Sequence, residues 1–174
     1  LGLIKSPQEA DQLAETVEDA GGVSFVPAFT GLGAPYWDSE ATGLLTGITR
    51  TTGKAEIVRA CLDSIAYQIT DLLECMGRDA ALPLAELRVD GGPTANRYLM
   101  QRQSDLACLP LAVPAVQELS ALGAARAAAQ GAGLCACKDF GRPAYTRYQP
   151  RMEEAERRAL YGGWQDAVRR TLYH

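Results

Sequence analysis

The stretch Leu87-Arg88-Val89-Asp90-Gly91-Gly92-Pro93-Thr94-Ala95-Asn96 leads from a short apolar segment through a paired-glycine turn into a helical pattern. Glycine lets the main chain turn sharply and approach a ligand closely. The first N–H groups of the following helix lack intrahelical partners and attract anions. The stretch therefore predicts a strand, a turn and a helix, with Gly91, Gly92 and Asn96 as candidate phosphate contacts. A plain strand-to-helix connection would use the same residues.

Strand and helix patterns alternate beyond this turn. Residues 109–113 form an apolar run, and residues 118–130 have the apolar spacing of a helix. Parallel pairing with crossover helices is typical of such alternation. We therefore expect the α/β class, with a mixed sheet, at least partly parallel, flanked by helices. The other predicted elements are strands at 23–29 and 44–48 and helices that begin near residues 6, 54, 93 and 151.

Three of the predicted helices carry further signals. Ser6-Pro7-Gln8-Glu9 has the form of a capping box at the start of the first helix. In the last helix, Trp164 is expected to pack into the core. The helix over residues 54–76 has apolar residues every three or four positions, which define one face. These residues are Ile57, Cys61, Ile65, Ile69, Leu72 and Met76.

The composition limits the possible partners. The chain has 174 residues, of which 47% are hydrophobic and 22% charged, so we expect one compact domain or a large part of one. A formal net charge of −4 disfavours nucleic acid and anionic membranes as partners. No apolar run approaches the roughly 20 residues that span a bilayer, and no signal peptide is visible. These features predict a cytoplasmic protein with a small-molecule ligand.

The side-chain inventory excludes several kinds of chemistry. The single histidine, His174, rules out a Ser-His-Asp or Cys-His system and a histidine-based metal site within this chain. A general base would have to be a carboxylate, yet Asp38, Asp63 and Asp90 also suit caps and turns. The five cysteines are expected to be reduced, mostly buried thiols, with no metal site. They are Cys61, Cys75, Cys108, Cys135 and Cys137.

Several stretches together resemble the FGGY family of carbohydrate kinases, and among them the members that phosphorylate glycerol. The quoted turn is one of these stretches, and Ala121-Leu122-Gly123-Ala124-Ala125 is another. The resemblance runs from about Gly22 to Trp164. The remaining stretches are FVPAFTGLGAPYWD at 25–38, GLLTGITR at 43–50, DSIAYQ at 63–68 and LMQRQSD at 99–105.

The resemblance implies a ribonuclease-H-like, actin-like ATPase fold in which two domains close over ATP and a polyol. In this family, the residues that correspond to Gly92 and Asn96 contact the nucleotide, and Gly91 belongs to the same turn. The cofactors implied are ATP and Mg²⁺. The partners implied are ATP or ADP and glycerol or a related polyol, and we expect a homo-oligomer.

The resemblance also implies that residues 1–174 are the C-terminal part of the family's C-terminal domain. The N-terminal domain, with the catalytic base and the polyol contacts, and the first strands of this domain would lie outside the chain. We therefore expect no catalytic residue here and no kinase activity from the chain alone. The alternatives are the same portion of another FGGY sugar kinase, such as a pentulose kinase, or a non-catalytic actin-like interaction module.

Overall fold

The computed structural model describes residues 2–80, 83–116, 118–134 and 144–172 of the chain. These residues form helices and strands in mixed order, which confirms the α/β class. The elements are α1 (Pro7–Glu15), β1 (Ser24–Val26), β2 (Leu44–Thr46), α2 (Lys54–Ala80), β3 (Leu87–Arg88), a 3₁₀ helix (Gly92–Ala95), α3 (Arg97–Ala107), β4 (Leu111–Pro114), α4 (Leu119–Gly131), β5 (Tyr145–Tyr148) and α5 (Glu154–Leu172).

The described strands form two sheets. In the first, β1 pairs antiparallel with β2, and Phe25 lies opposite Leu45. In the second, the strand order is β3-β4-β5, with β3 parallel to β4 and β4 antiparallel to β5. The second sheet is mixed and partly parallel, as predicted. The sequence pattern indicated neither β5 nor the separation of the described strands into two sheets.

The core lies where α5 returns to the rest of the chain. Trp164 on α5 is 2% exposed. Its ring stacks on Tyr67 of α2, with ring centroids 5.4 Å apart. Leu106 of α3 and Leu111 of β4 are fully buried in the same cluster. This arrangement confirms the predicted role of Trp164 as a core residue on the closing helix.

The inward side of the 27-residue helix α2 combines buried apolar residues with four buried polar ones. Asp63, Ser64, Thr70 and Asp71 are buried, and α2 contacts α1, α3 and β1. The predicted apolar face does form one side of the helix. It is not the side buried in this chain, because its members are half-buried or exposed. The polar residues can be buried because their groups have hydrogen-bond partners: the Ser64 and Thr70 hydroxyls donate to backbone carbonyls of α2 itself.

The predicted capping box at α1 does not form. Ser6 is the N-cap residue but makes no side-chain capping hydrogen bond. Glu9 instead accepts a hydrogen bond from the Lys5 backbone N–H, 2.8 Å away, and one from Lys54 Nζ at 3.0 Å. Glu9 is thus drawn toward α2, so the reciprocal contact with Ser6 is lost.

The expectation of mostly buried thiols is wrong for the cysteines that the structure describes. Cys61 and Cys75 on α2 are half-buried, and Cys108 is exposed. Cys108 ends α3 with a left-handed backbone (φ 51°), a surface position at which a helix terminates. Cys135 and Cys137 lie outside the described residues.

Asp71 joins three distant parts of the chain. Its carboxylate, 4% exposed, accepts hydrogen bonds from Tyr36 Oη at 2.9 Å, Trp164 Nε1 at 2.8 Å and Tyr161 Oη. Tyr36 belongs to the loop between β1 and β2, and the other two donors belong to α5. Burial and the adjacent Asp71 carboxylate raise the pKa of both tyrosines, so their hydroxyls stay protonated and continue to donate.

We predict that Asp71→Ala lowers the free energy of unfolding by about 3 kcal/mol or more, because three partly or fully buried donors lose their acceptor. Asp79→Ala, at an exposed position of the same helix, should change it by less than about 0.5 kcal/mol. Urea denaturation followed by far-UV circular dichroism measures both values. Equal stability of the two variants would contradict the structural role of Asp71.

Candidate functional site

The turn after β3 leaves two glycines accessible. Gly91 has φ +94° and ψ 177°, a conformation that L side chains rarely adopt. Gly92 is exposed, and a Cβ placed there would have no neighbouring atom within 4 Å. The sequence prediction of a sharp glycine turn open to a ligand therefore agrees with the geometry.

Hydrogen bonds within the turn fix its shape. The N–H and Oγ1 of Thr94 both donate to the Gly91 carbonyl, at 3.1 and 2.7 Å. The Asn96 N–H donates to the Pro93 carbonyl at 3.0 Å. Among the described residues, the N–H groups of Gly91 and Gly92 have no hydrogen-bond acceptor. The Gly91 carbonyl thus has its hydrogen bonds within the turn, whereas the Gly91 and Gly92 N–H groups remain available to a ligand.

The helix N-terminus after this turn differs from the prediction. The sequence pattern indicated one helix from Pro93, whereas the chain forms a short 3₁₀ helix and then starts α3 at Arg97. The N–H of Tyr98 donates to Asp11 Oδ1 of α1 at 2.9 Å, and the N–H of Leu99 donates to Asn96 Oδ1 at 2.7 Å. These two amides are therefore already occupied. The predicted helix start at Pro93 is therefore wrong, whereas the N–H groups of the glycine turn just before α3 remain available.

Asn96 is the N-cap residue of α3 rather than a residue one turn inside a helix. Its Oδ1 is used for capping, and the side chain is half-buried. Within the described ranges its Nδ2 has no hydrogen-bond partner. The structure thus places Gly91, Gly92 and Asn96 on one turn, with three N–H-bearing groups unengaged.

The three candidate carboxylates have different environments. Asp63 is buried and forms a two-point ion pair with Arg102, with both N–O distances 3.0 Å, and it also accepts from Tyr98 Oη. Asp38 accepts from the backbone N–H groups of residues 40 and 41 and so caps a turn. Asp90 is exposed beside the glycine turn. The contacts of Asp63 and Asp38 are structural.

A separate cavity of about 240 Å³ lies between the α1–β1 connection, α2 and α5. Asp63, Arg102, Tyr67 and Trp164 contribute to its walls, but no residue of the glycine turn does. The Asp63–Arg102 pair neutralises its two most buried charges. In the described part of the chain, no group of three or more His, Cys, Asp or Glu side chains could hold a metal ion. None of the described helices is long and apolar enough to cross a membrane.

The small-residue segment 120–125 falls within α4. Small side chains allow another backbone or a flat nucleotide base to come close, but none of the described α4 residues is buried within this chain.

We predict that Asn96→Ala lowers the free energy of unfolding by about 1 kcal/mol, because the Leu99 N–H loses its cap. Asn96→Asp keeps an acceptor oxygen at the same position and should retain the stability of the original chain. Urea denaturation of the two variants measures the difference. If both variants lose the same stability, the capping role of Asn96 Oδ1 is incorrect.

The chain is similar over almost its whole length to curated glycerol kinases. It is 49% identical over 175 residues to a glycerol kinase of Halorhodospira halophila, covering 99% of this chain and 34% of the relative. It is 46% identical to a glycerol kinase 2 of Thermotoga maritima, covering 99% of this chain and 35% of that protein. The chain therefore spans about a third of the length of these relatives.

The fold of the chain is similar to that of kinases whose structures have been solved. The crystal structure of Plasmodium falciparum glycerol kinase with ADP matches with a TM-score of 0.88 and 35% identity, covering 99% of this chain and 35% of that one. A gluconate kinase of Lactobacillus acidophilus matches with a TM-score of 0.78 at 23% identity, over 99% of this chain and 36% of the other, which supports the fold alone. The C-terminal domain of the FGGY family of carbohydrate kinases matches residues 2–132. The chain belongs to the FGGY family of carbohydrate kinases.

Proposed function

We propose that this chain is the nucleotide-binding C-terminal portion of an ATP-dependent kinase that phosphorylates a primary hydroxyl of glycerol. The observation that carries the proposal is the 46–49% identity to glycerol kinases over 98–99% of the chain. The gluconate and xylulose kinases that match in structure are only 22–24% identical. Glycerol is therefore favoured over a pentulose as the substrate of the complete protein.

The glycine turn would bind the nucleotide through its main chain. The N–H groups of Gly91 and Gly92 can donate to phosphate oxygens, and the bare Cα of Gly92 allows the ligand to come close. Asn96 Nδ2 would add a third donor. Neutral donors that are held in place by the turn bind an anion without reorganising first. We retain Gly91, Gly92 and Asn96 as proposed nucleotide contacts.

The chain by itself lacks the other half of a phosphoryl-transfer site. Such catalysis depends on positioning and charge stabilisation, with a group that orients the attacking hydroxyl. Asp63, the most buried of the three candidate carboxylates, is committed to Arg102. The described residues also offer no carboxylate cluster for Mg²⁺. We propose that Mg²⁺ would be held mainly by the nucleotide phosphates and by parts of the enzyme outside this chain.

The proposal also covers the setting in which the enzyme acts. We place the complete protein in the cytoplasm, as a homo-oligomer without nucleic-acid or membrane partners. We place residues 1–174 in the C-terminal domain, downstream of the N-terminal domain and of the first strands of their own domain.

The chain alone should show no kinase activity. With ATP, Mg²⁺ and glycerol, a coupled assay should detect no ADP above the rate without protein, because the base and the polyol contacts are missing. The full-length enzyme serves as the positive control. Clear ADP production by the purified chain would contradict the proposed division of the site.

In the full-length enzyme, Gly92→Leu should raise KM for ATP at least about tenfold, a loss of about 1.4 kcal/mol of nucleotide binding. KM for glycerol should change little, because the polyol contacts lie elsewhere. Gly77→Leu on α2 is a matched control, since a Cβ there also meets no atom within 4 Å. A Gly92→Leu enzyme with unchanged KM for ATP would exclude this turn as the nucleotide site.

A further inference from the structure

Hydrogen bonds to the rest of the described chain hold the glycine turn only through the elements on its two sides. Among the described residues, the hydrogen bonds of residues 91–95 join them only to one another and to Asn96. These bonds fix the shape of the turn but not its place in the fold. On the β3 side, the Val89 N–H anchors the chain by donating to the Ala112 carbonyl of β4 at 3.2 Å.

On the α3 side, the anchor is Asp11 of α1. Its Oδ1 accepts a hydrogen bond from the Tyr98 N–H at 2.9 Å, across 87 residues of sequence. Tyr98 is the second residue of α3 and follows the N-cap residue Asn96 by two positions. A helix start that is fixed at Tyr98 therefore also fixes where Asn96 and the end of the glycine turn lie.

Two side chains of α2 hold Tyr98 in the same place. The guanidinium of Arg59 lies over the Tyr98 ring, 4.8 Å from its centroid. The Tyr98 hydroxyl donates to Asp63 Oδ1. Burial and the Asp63 carboxylate raise the pKa of Tyr98, so its hydroxyl stays protonated and continues to donate. The backbone, the ring and the hydroxyl of this residue thus each have a partner.

Asp11 can serve as an anchor because α1 is itself attached to α2. At the C-terminal end of α1, Arg59 Nη1 donates to the Ala14 carbonyl at 2.8 Å. Nearer its N-terminal end, Lys54 Nζ pairs with Glu9 Oε1 at 3.0 Å. These contacts hold α1 on both sides of Asp11, so its carboxylate stays within reach of α3.

We propose that Asp11 is a positioning residue of the nucleotide site: by accepting the Tyr98 N–H, it holds Asn96 and the glycine turn where they meet the nucleotide. The inference rests on the proposed function, in which this turn binds ATP or ADP. Asp11 itself does not touch the nucleotide. The groups of a binding site must be held within about 0.5 Å of the productive geometry, so a small displacement of the turn weakens binding.

The hydrogen bond and the charge of Asp11 have opposite effects on an anionic ligand. A carboxylate near the nucleotide phosphates repels them, whereas its hydrogen bond to Tyr98 favours binding by keeping the turn in place. Asp11→Asn removes the charge but retains an acceptor oxygen, and Asp11→Ala removes both. The two variants therefore separate positioning from electrostatic repulsion.

The test measures the Kd for ADP by isothermal titration calorimetry on the full-length enzyme. Asp11→Ala should raise this Kd about fivefold, because the turn loses its anchor on α1. Asp11→Asn should stay within about twofold of the original enzyme, because the acceptor oxygen remains. Since alanine favours helix, α1 should form in Asp11→Ala, and far-UV circular dichroism at the assay temperature checks the fold of each variant.

Asp19→Ala is a matched control. The Oδ1 of Asp19 also accepts one backbone N–H, from Gly21 at 2.6 Å, but this hydrogen bond involves neither α3 nor the glycine turn. Its removal should leave the Kd for ADP unchanged.

An unchanged Kd in Asp11→Ala would overturn the positioning role, and so would an equal rise in Asp11→Asn. Tighter ADP binding by both variants would show that Asp11 acts through its charge and would overturn it as well. Glycerol phosphorylation by the original enzyme tests the proposed function separately. Asp11-dependent ADP binding without glycerol phosphorylation would support the positioning role while contradicting the proposed function, and no ADP binding by the original enzyme would overturn both.

Discussion

Three neutral donors from two separate regions converge on the Asp71 carboxylate, which is buried without a cationic partner among the described residues. Tyr36 links the β1–β2 loop to this carboxylate, and Tyr161 and Trp164 link the terminal helix to it. Burying a carboxylate costs free energy unless hydrogen bonds replace those it made with water. The three donors must therefore stay within hydrogen-bond distance of Asp71. This interaction fixes how α5 closes on α2.

The same requirement determines what α2 presents to its surroundings. Because Asp63 and Asp71 face their partners inside the chain, the apolar residues Ile65, Leu72 and Met76 on the other side of α2 are exposed. The buried carboxylates of α2 and its exposed apolar residues are thus two consequences of one packing arrangement.

The sequence predicts the helices, strands and turns that have local signals. It does not predict features that depend on contacts between residues far apart in the chain. The paired glycines and the apolar run before them locate the turn, and Trp164 marks the closing helix. The apolar series on α2 did not reveal which side is buried, because the partners of Asp63 and Asp71 lie 35 to 93 residues away. Asn96 was identified as a site residue, but its capping of α3 depends on the break at residue 96, which the pattern did not show.

Only part of the candidate nucleotide site could be predicted from the sequence. The glycine turn is local, so residue types and spacing predict its sharp shape, but they assigned the available N–H groups to the following helix. The assignment of those groups to ATP came from family resemblance, since a two-glycine turn also serves as a plain connection. Asp11, which accepts the hydrogen bond from the Tyr98 N–H, is 87 residues away, so the engagement of this amide could not be foreseen.

Hydrogen–deuterium exchange on the full-length enzyme, with and without ADP, shows whether the glycine turn binds the nucleotide. We predict that ADP slows exchange at the N–H groups of Gly91 and Gly92. The N–H groups of Tyr98 and Leu99, which are already engaged, should change less. Nucleotide-dependent protection elsewhere, with residues 89–96 unaffected, would contradict the assignment of this turn as the nucleotide site.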